Sequence, residues 1–189
     1  INHDGCFGSR PWRHFDDARD GPFLVAGIDP FRTITDEEIN IDHIKNCFQA
    51  AFGQAWKGAI ENDGFNRLVI GAQLSWQEVM LLRGYAKYLK QINFPFSQNY
   101  IEAALGNYHF ITHQLITLFK IRFDPDKEKN RNANEETCLT LLYAELDKVE
   151  NLDEDKILRR FVEAIMATVR TNYFQWYKNS PEMPYLSLK

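Results

Sequence analysis

A mainly α fold, a bundle of about seven helices behind a short irregular or strand-containing N-terminal segment, is what this sequence predicts. Three observations carry the expectation. Apolar residues recur at three- and four-residue spacing through most of residues 35–176. Ser or Thr followed three positions later by Glu marks helix starts, and clusters of Pro, Gly, Asn and Asp separate the periodic stretches. The predicted organisation is residues 1–34 as a poorly specified segment, 35–178 as a helical domain and 179–189 as the start of a connection into a further domain.

Residues 1–34 are rich in Gly, Pro, Arg and Asp, and their best strand candidate is Phe23–Ile28, between Pro22 and Pro30. Thr35 and Glu38 then form a capping box. Ile41, Ile44, Phe48, Ala51, Phe52 and Ala55 keep one face apolar up to Trp56, with Gly58 as the stop, so this helix is expected to anchor the core. Gly53 inside it costs up to about 1 kcal/mol relative to Ala, which points to a close helix crossing there. Glu61–Arg67 reads as a turn feeding a short helix at Leu68–Ile70. As a site it offers Asp63, Asn66 and Arg67 to a polar ligand; as structure it is a capped turn tied to nearby backbone, the favoured reading.

Ser75–Gln91 (SWQEVMLLRGYAKYLKQ) is the stretch around which the rest is organised. Ser75 and Glu78 form a second capping box. Val79, Leu82, Ala86 and Leu89 make one apolar row, with Leu81, Tyr85, Tyr88 and Ile92 beside it, so the helix is expected to sit centrally. Arg83, Lys87 and Lys90 leave a narrow charged stripe for solvent, an acidic neighbour or a partner surface.

Phe94-Pro95 breaks that helix and Ser97 caps a short one carrying Tyr100, Ile101, Ala104 and Leu105. Tyr108–Phe123 is the next helix, ended by Asp124-Pro125. Asp124–Asn134 has no large apolar residue and reads as a mobile loop. Leu139, Leu142, Leu146 and Val149 then mark a helix. A final one from Glu154 to about Trp176, the longest, is expected to form a helical hairpin with it. Pro181 and Pro184 end the helical region, and Tyr185–Leu188 looks like a first strand of something further on.

Hydrophobic content of 44% is that of a globular chain, and no apolar run approaches a membrane span. The net charge of -4 with mixed signs argues against nucleic-acid binding. Cys6, Cys47 and Cys138 are odd in number and widely spaced, which fits reduced thiols and a cytoplasmic location. The N-terminus shows no secretion signal. The start without Met and the strand-like end fit a fragment of a longer chain. His109 and His113 sit at the i, i+4 spacing that can chelate a metal, but no third ligand is signposted, so no metal site is assigned. His3, Asp4, Cys6 and His14 carry ligand-type atoms in a segment without predicted structure, and no site is assigned there either. Arg159, Arg160 and Arg170, beside the aromatic Tyr173 and Phe174, could engage nucleic acid. With Glu154, Asp155 and Glu163 on the same helix, ion-paired packing against a neighbouring domain is preferred. No phosphate-cradling loop or nucleophile elbow is present, and no catalytic or cofactor-binding residue is assigned.

Glu61–Val69 (ENDGFNRLV), Leu74–Gln91, Phe94–Ile101 (FPFSQNYI), Leu152–Gln175 and Pro184–Lys189 (PYLSLK) resemble, in order, the large bacterial NAD-specific glutamate dehydrogenases. The resemblance implies a helical, non-catalytic segment just upstream of the catalytic domain; residues 1–34, which match poorly, are read either as a remnant of a preceding ACT-like domain or as an arm that packs only in the intact protein. It implies a parent enzyme that oxidatively deaminates L-glutamate to 2-oxoglutarate and ammonia with NAD, with no cofactor in this segment. The implied partners are the catalytic and ACT-like domains of the same chain in a homo-oligomer, and the implied role is assembly or regulation. Asp63, Asn66, Arg67, Arg83, Lys87, Lys90, Arg159 and Arg170 are the candidate interface residues. The alternative is an independent helical interaction module that binds an acidic partner through the basic stripe.

Overall fold

Local sequence signals set most of the helix ends in the computed structural model, which describes residues 41–127, 130–175 and 185–189. The first-segment strand, the Thr35 capping box, the His3 to His14 cluster and Pro181 and Pro184 lie outside these residues. The elements are α1 (Ile41–Trp56), a 3-10 turn (Gly64–Arg67), α2 (Leu68–Gly71), α3 (Trp76–Gln91), α4 (Gln98–Asn107), α5 (His109–Phe123), a second 3-10 turn (Pro125–Lys127), α6 (Arg131–Leu146) and α7 (Leu152–Ala167). The fold is mainly α. The pairing of extended backbone among the described residues is the antiparallel bridge Thr171 to Leu188.

At α3 the capping box is complete: Glu78 N–H donates to Ser75 Oγ at 3.3 Å and Ser75 N–H donates to Glu78 Oε2 at 2.7 Å. Val79, Leu81, Leu82, Tyr85, Ala86 and Leu89 are buried, so α3 is central as expected. Tyr88 and Ile92 stand about half exposed, and the apolar arc narrows toward the helix end. Ser97 caps α4 by accepting from Tyr100 N–H, and Asn151 caps α7 by accepting from Asp153 and Glu154 N–H. Gly58, at φ +70°, ends α1 with the paired bonds Gly58 N–H to Ala55 O and Ala59 N–H to Gln54 O.

Several expectations are corrected. The α1 face is a weaker core anchor than expected: Ala51 is buried, but Phe52 is 44% and Trp56 78% exposed, and the rings of Phe48, Phe52 and Trp56 follow one another along the helix. Among the described residues nothing approaches within 4 Å of where a Cβ would stand at Gly53, so none of the described helices crosses there; the close approaches are at Gly64, Gly71, Gly84 and Gly106. The expected loop is shorter, since α6 begins at Arg131, held by Arg131 Nη2 donating to Asp124 O and by the ion pair between Arg122 and Glu135. Finally, α7 stops at Ala167 and is no longer than α1, α3 or α6. The β-branched Thr168 turns extended at ψ 129°, and residues 169–172 pair with 185–189 through Arg170 N–H to Lys189 O and Lys189 N–H to Arg170 O. The strand-like C-terminal run therefore finds its partner inside this chain, and α6 returns chiefly along α5 rather than α7.

One core runs through α1 to α7, with Ala51 as the buried residue that α1 contributes. Phe119 of α5 meets Tyr85 of α3 edge-on, Tyr173 edge-on and Phe174 face-on. Each fully buried side chain of this size contributes about 1.5–3 kcal/mol by transfer from water.

Candidate functional site

The turn before α2 and the middle of α3 were separate candidates in the sequence; the fold joins them. Asp63 caps the 3-10 turn, accepting from Phe65 N–H at 3.2 Å, and its two oxygens receive Arg83 Nη2 and Nε at 2.7 Å each. A guanidinium forked onto one carboxylate is the strongest neutralising geometry available to the pair. Arg83 Nη2 also donates to Asn66 Oδ1 at 3.1 Å, while Asn66 Nδ2 donates to Glu61 O at 3.1 Å. The guanidinium lies over the Phe65 ring, 5.6 Å from its centre. Asp63 and Asn66 thus do the work of a capped turn, and Arg83, only 5% exposed, takes the acidic neighbour among the three outlets expected for its stripe. That neighbour lies twenty residues back in the chain.

Lys87 is exposed and pairs with the Glu61 carboxylate. Lys90 is exposed and has no ion-pair partner among the described residues. Arg67 is also exposed; its Nε donates to Gly64 O at 3.0 Å and its stem packs on Gly106. Arg159 donates to Asp155 at 2.8 Å and to Asp147 at 2.8 Å, and Arg160 to Glu163 at 2.7 Å. Glu154 is no partner of theirs: it is buried and accepts from Asn107 Nδ2 at 2.8 Å and Tyr108 Oη at 3.1 Å, joining α7 to the α4–α5 junction. Arg170 is exposed and engages Lys189 through its backbone.

Several polar ties escaped sequence reading. Glu78, besides capping α3, pairs with Lys120 of α5. Arg122 Nη2 donates to Met166 O at 3.0 Å, satisfying a carbonyl at the end of α7. Tyr85, which the spacing marks only as apolar, has its hydroxyl 2.9 Å from Thr168 Oγ1. Thr168 gives its own proton to Ala164 O at 2.8 Å, so Tyr85 is the donor.

Beside this network a groove of about 860 Å³ opens between α3, α7 and residues 186–189, lined among others by Gly84, Tyr88, Ala167 and Leu186. Its chemistry is quiet. Burial pushes the Tyr85 phenol up to about 12, too weak an acid for proton transfer near neutrality. Burial likewise raises the Cys47 and Cys138 thiols, away from the thiolate that reacts. His113 is pushed down by burial, against an opposing pull from Glu78. Among the described residues no three His, Cys, Asp or Glu converge to hold a metal, and no helix is long and apolar enough to cross a membrane.

The described residues form a helical segment in which Arg83, Lys87, Arg159 and Arg160 are tied to carboxylates of the same chain. The family model "Glutamate dehydrogenase, helical motif 3" matches residues 60–125, and "Bacterial NAD-glutamate dehydrogenase, catalytic domain" matches residues 141–189. The chain belongs to the large bacterial NAD-specific glutamate dehydrogenase family. It is similar to the NAD-specific glutamate dehydrogenase of Halomonas elongata, 44% identical over 155 residues, which are 82% of this chain and 10% of that protein. It is also similar to that of Pseudomonas aeruginosa, 40% identical over 159 residues (80% and 10%). The Mycobacterium tuberculosis enzyme is 43% identical over 130 residues (67% and 8%). The chain spans about a tenth of the length of these relatives. No solved structure matches it. The catalytic-domain match reaches back to residue 141, inside α6, whereas the sequence places the transition at residue 179.

Proposed function

We propose that this chain is the helical segment through which an NAD-specific glutamate dehydrogenase carries its catalytic domain, serving assembly or regulation and performing no chemistry itself. One observation supports this reading above the others. The stretches matched by the helical-motif and catalytic-domain models share a single core, in which Phe119 and Tyr85 of the first contact Tyr173, Phe174 and Thr168 of the second. For this reason we treat the described part of residues 35–178 as one domain. The parent reaction is the oxidative deamination of L-glutamate to 2-oxoglutarate and ammonia with reduction of NAD, which binds outside this segment. The partners are the catalytic and ACT-like domains of the same polypeptide, in a cytoplasmic homo-oligomer. Exposed Arg67, Lys90 and Arg170 are the candidate contact residues, whereas buried Arg83 serves the interior.

The test is Leu158→Ala with Phe161→Ala in the parent enzyme, both fully buried on α7. Each truncation costs about 2–5 kcal/mol. Glutamate-dependent NAD reduction, oligomeric mass and effector response are measured together. A folded double variant unchanged in all three would refute the scaffold role.

A further inference from the structure

Gly84 stands on α3 where residues 185–189 cross it. A Cβ placed there would lie 3.2 Å from Cδ2 of Leu186 and 3.9 Å from Cδ1 of Leu188. The alternation of an extended segment sends both leucines to the same side, toward α3. On the other side the segment is held by its backbone: Lys189 N–H donates to Arg170 O at 2.9 Å, Ser187 N–H to Asn172 Oδ1 at 2.7 Å, and Asn172 Nδ2 to Tyr185 O at 3.1 Å. Those bonds fix its pairing with residues 169–172 but not its height above α3. That height is set by the leucines, and they settle only as far as position 84 permits. A glycine in mid-helix costs about 1 kcal/mol relative to Ala. At Gly53 no neighbour among the described residues explains that cost, while at Gly84 the contact with Leu186 does.

We propose that Gly84 is a positioning residue: its missing side chain seats residues 185–189 against α3, and this seat sets where the catalytic-domain part of the polypeptide stands relative to the helical motif. The proposal rests on the dehydrogenase reading above. Gly84 lies in the stretch matched by the helical-motif model and Leu186 in that matched by the catalytic-domain model. The adjoining groove of about 860 Å³ gives the segment room to be displaced while the core stays closed. Because a misplacement of about 1 Å far from the reacting atoms can cost on the order of a hundredfold in rate, a shifted seat registers as lost kcat.

The test uses the parent enzyme with Gly84→Ala, Gly84→Leu, Leu186→Ala and the pair Gly84→Leu with Leu186→Ala. Gly84→Leu is expected to lower kcat about tenfold or more, with KM for glutamate and oligomeric mass unchanged, and the pair is expected to regain most of the loss. Gly84→Ala is expected to lower kcat about two- to threefold while leaving the unfolding midpoint equal or higher, a split that a merely structural residue would not produce. Amide hydrogen exchange at Lys189, whose N–H is bonded to Arg170, should quicken in Gly84→Leu while α3 and α5 stay protected. A folded Gly84→Leu with wild-type kcat and wild-type exchange at Lys189, or failure of Leu186→Ala to restore it, overturns the proposal. If Gly84→Leu does not fold, an unchanged kcat in Gly84→Ala does the same. A wild-type parent that reduces no NAD with glutamate sinks the dehydrogenase reading instead, and the exchange at Lys189 then decides the seat by itself.

Discussion

Arg83, itself buried, makes two short bonds to the part-buried carboxylate of Asp63 and a third to Asn66 while stacked on Phe65. Removing one partner of such a pair is far more damaging than the pair is stabilising, because the survivor stays buried and charged. Arg83→Leu is therefore expected to lower stability by about 3–5 kcal/mol. Arg83→Lys keeps the charge but cannot fork onto both oxygens of Asp63. Its expected loss is about 1–3 kcal/mol, set by the acceptors left unmet. Urea unfolding of the two variants checks the order; a Lys variant as stable as the wild type would show that charge alone, and not the forked geometry, is what the site uses. The turn function of Asp63 and Asn66 was legible because Asx capping is local. Their hold on Arg83 was not, since it is formed across twenty residues of chain by a helix that the sequence can only describe as amphipathic.

Elements tell the same story through their ends. The starts of α3 and α4 are written in Ser75, Glu78 and Ser97, within four residues of the bonds they make, and all of those bonds form. The end of α7 has no such local signature. Helical periodicity continues through Val169, but Thr168 takes its place under Tyr85 and the backbone leaves to meet Lys189, a tertiary preference that overrides the pattern. Glycines divide likewise. Composition alone made Gly53 a crossing point, and no described residue comes within 4 Å of a Cβ there, so Gly53→Ala is expected to raise stability by about 0.5–1 kcal/mol. An upward shift of the urea midpoint checks this. A fall would mean that α1 is packed at Gly53 in a way its surroundings do not show.

At the scale of the molecule the question is whether two family-defined stretches behave as one body. The helical-motif match ends at residue 125 and the catalytic-domain match begins at 141, yet Phe119 touches Tyr85 on one side of that gap and Tyr173 and Phe174 on the other. Side chains shared in this way couple the free energies of the regions that bury them, so neither should open without the other. Phe119→Ala, at about 3–5 kcal/mol, is expected to move one cooperative unfolding transition downward as a unit. Hydrogen exchange resolved along α3, α5 and α7 supplies the check, since all three should lose protection by the same free energy. If α7 instead lost protection at a lower free energy than α3, the boundary near residue 141 would be a mechanical joint and regulation would act by loosening it. If they fall together, effects on α1 to α5 reach the catalytic-domain stretch as a rigid displacement, and it is the placement of residues 185–189, not their order, that any such effect must change.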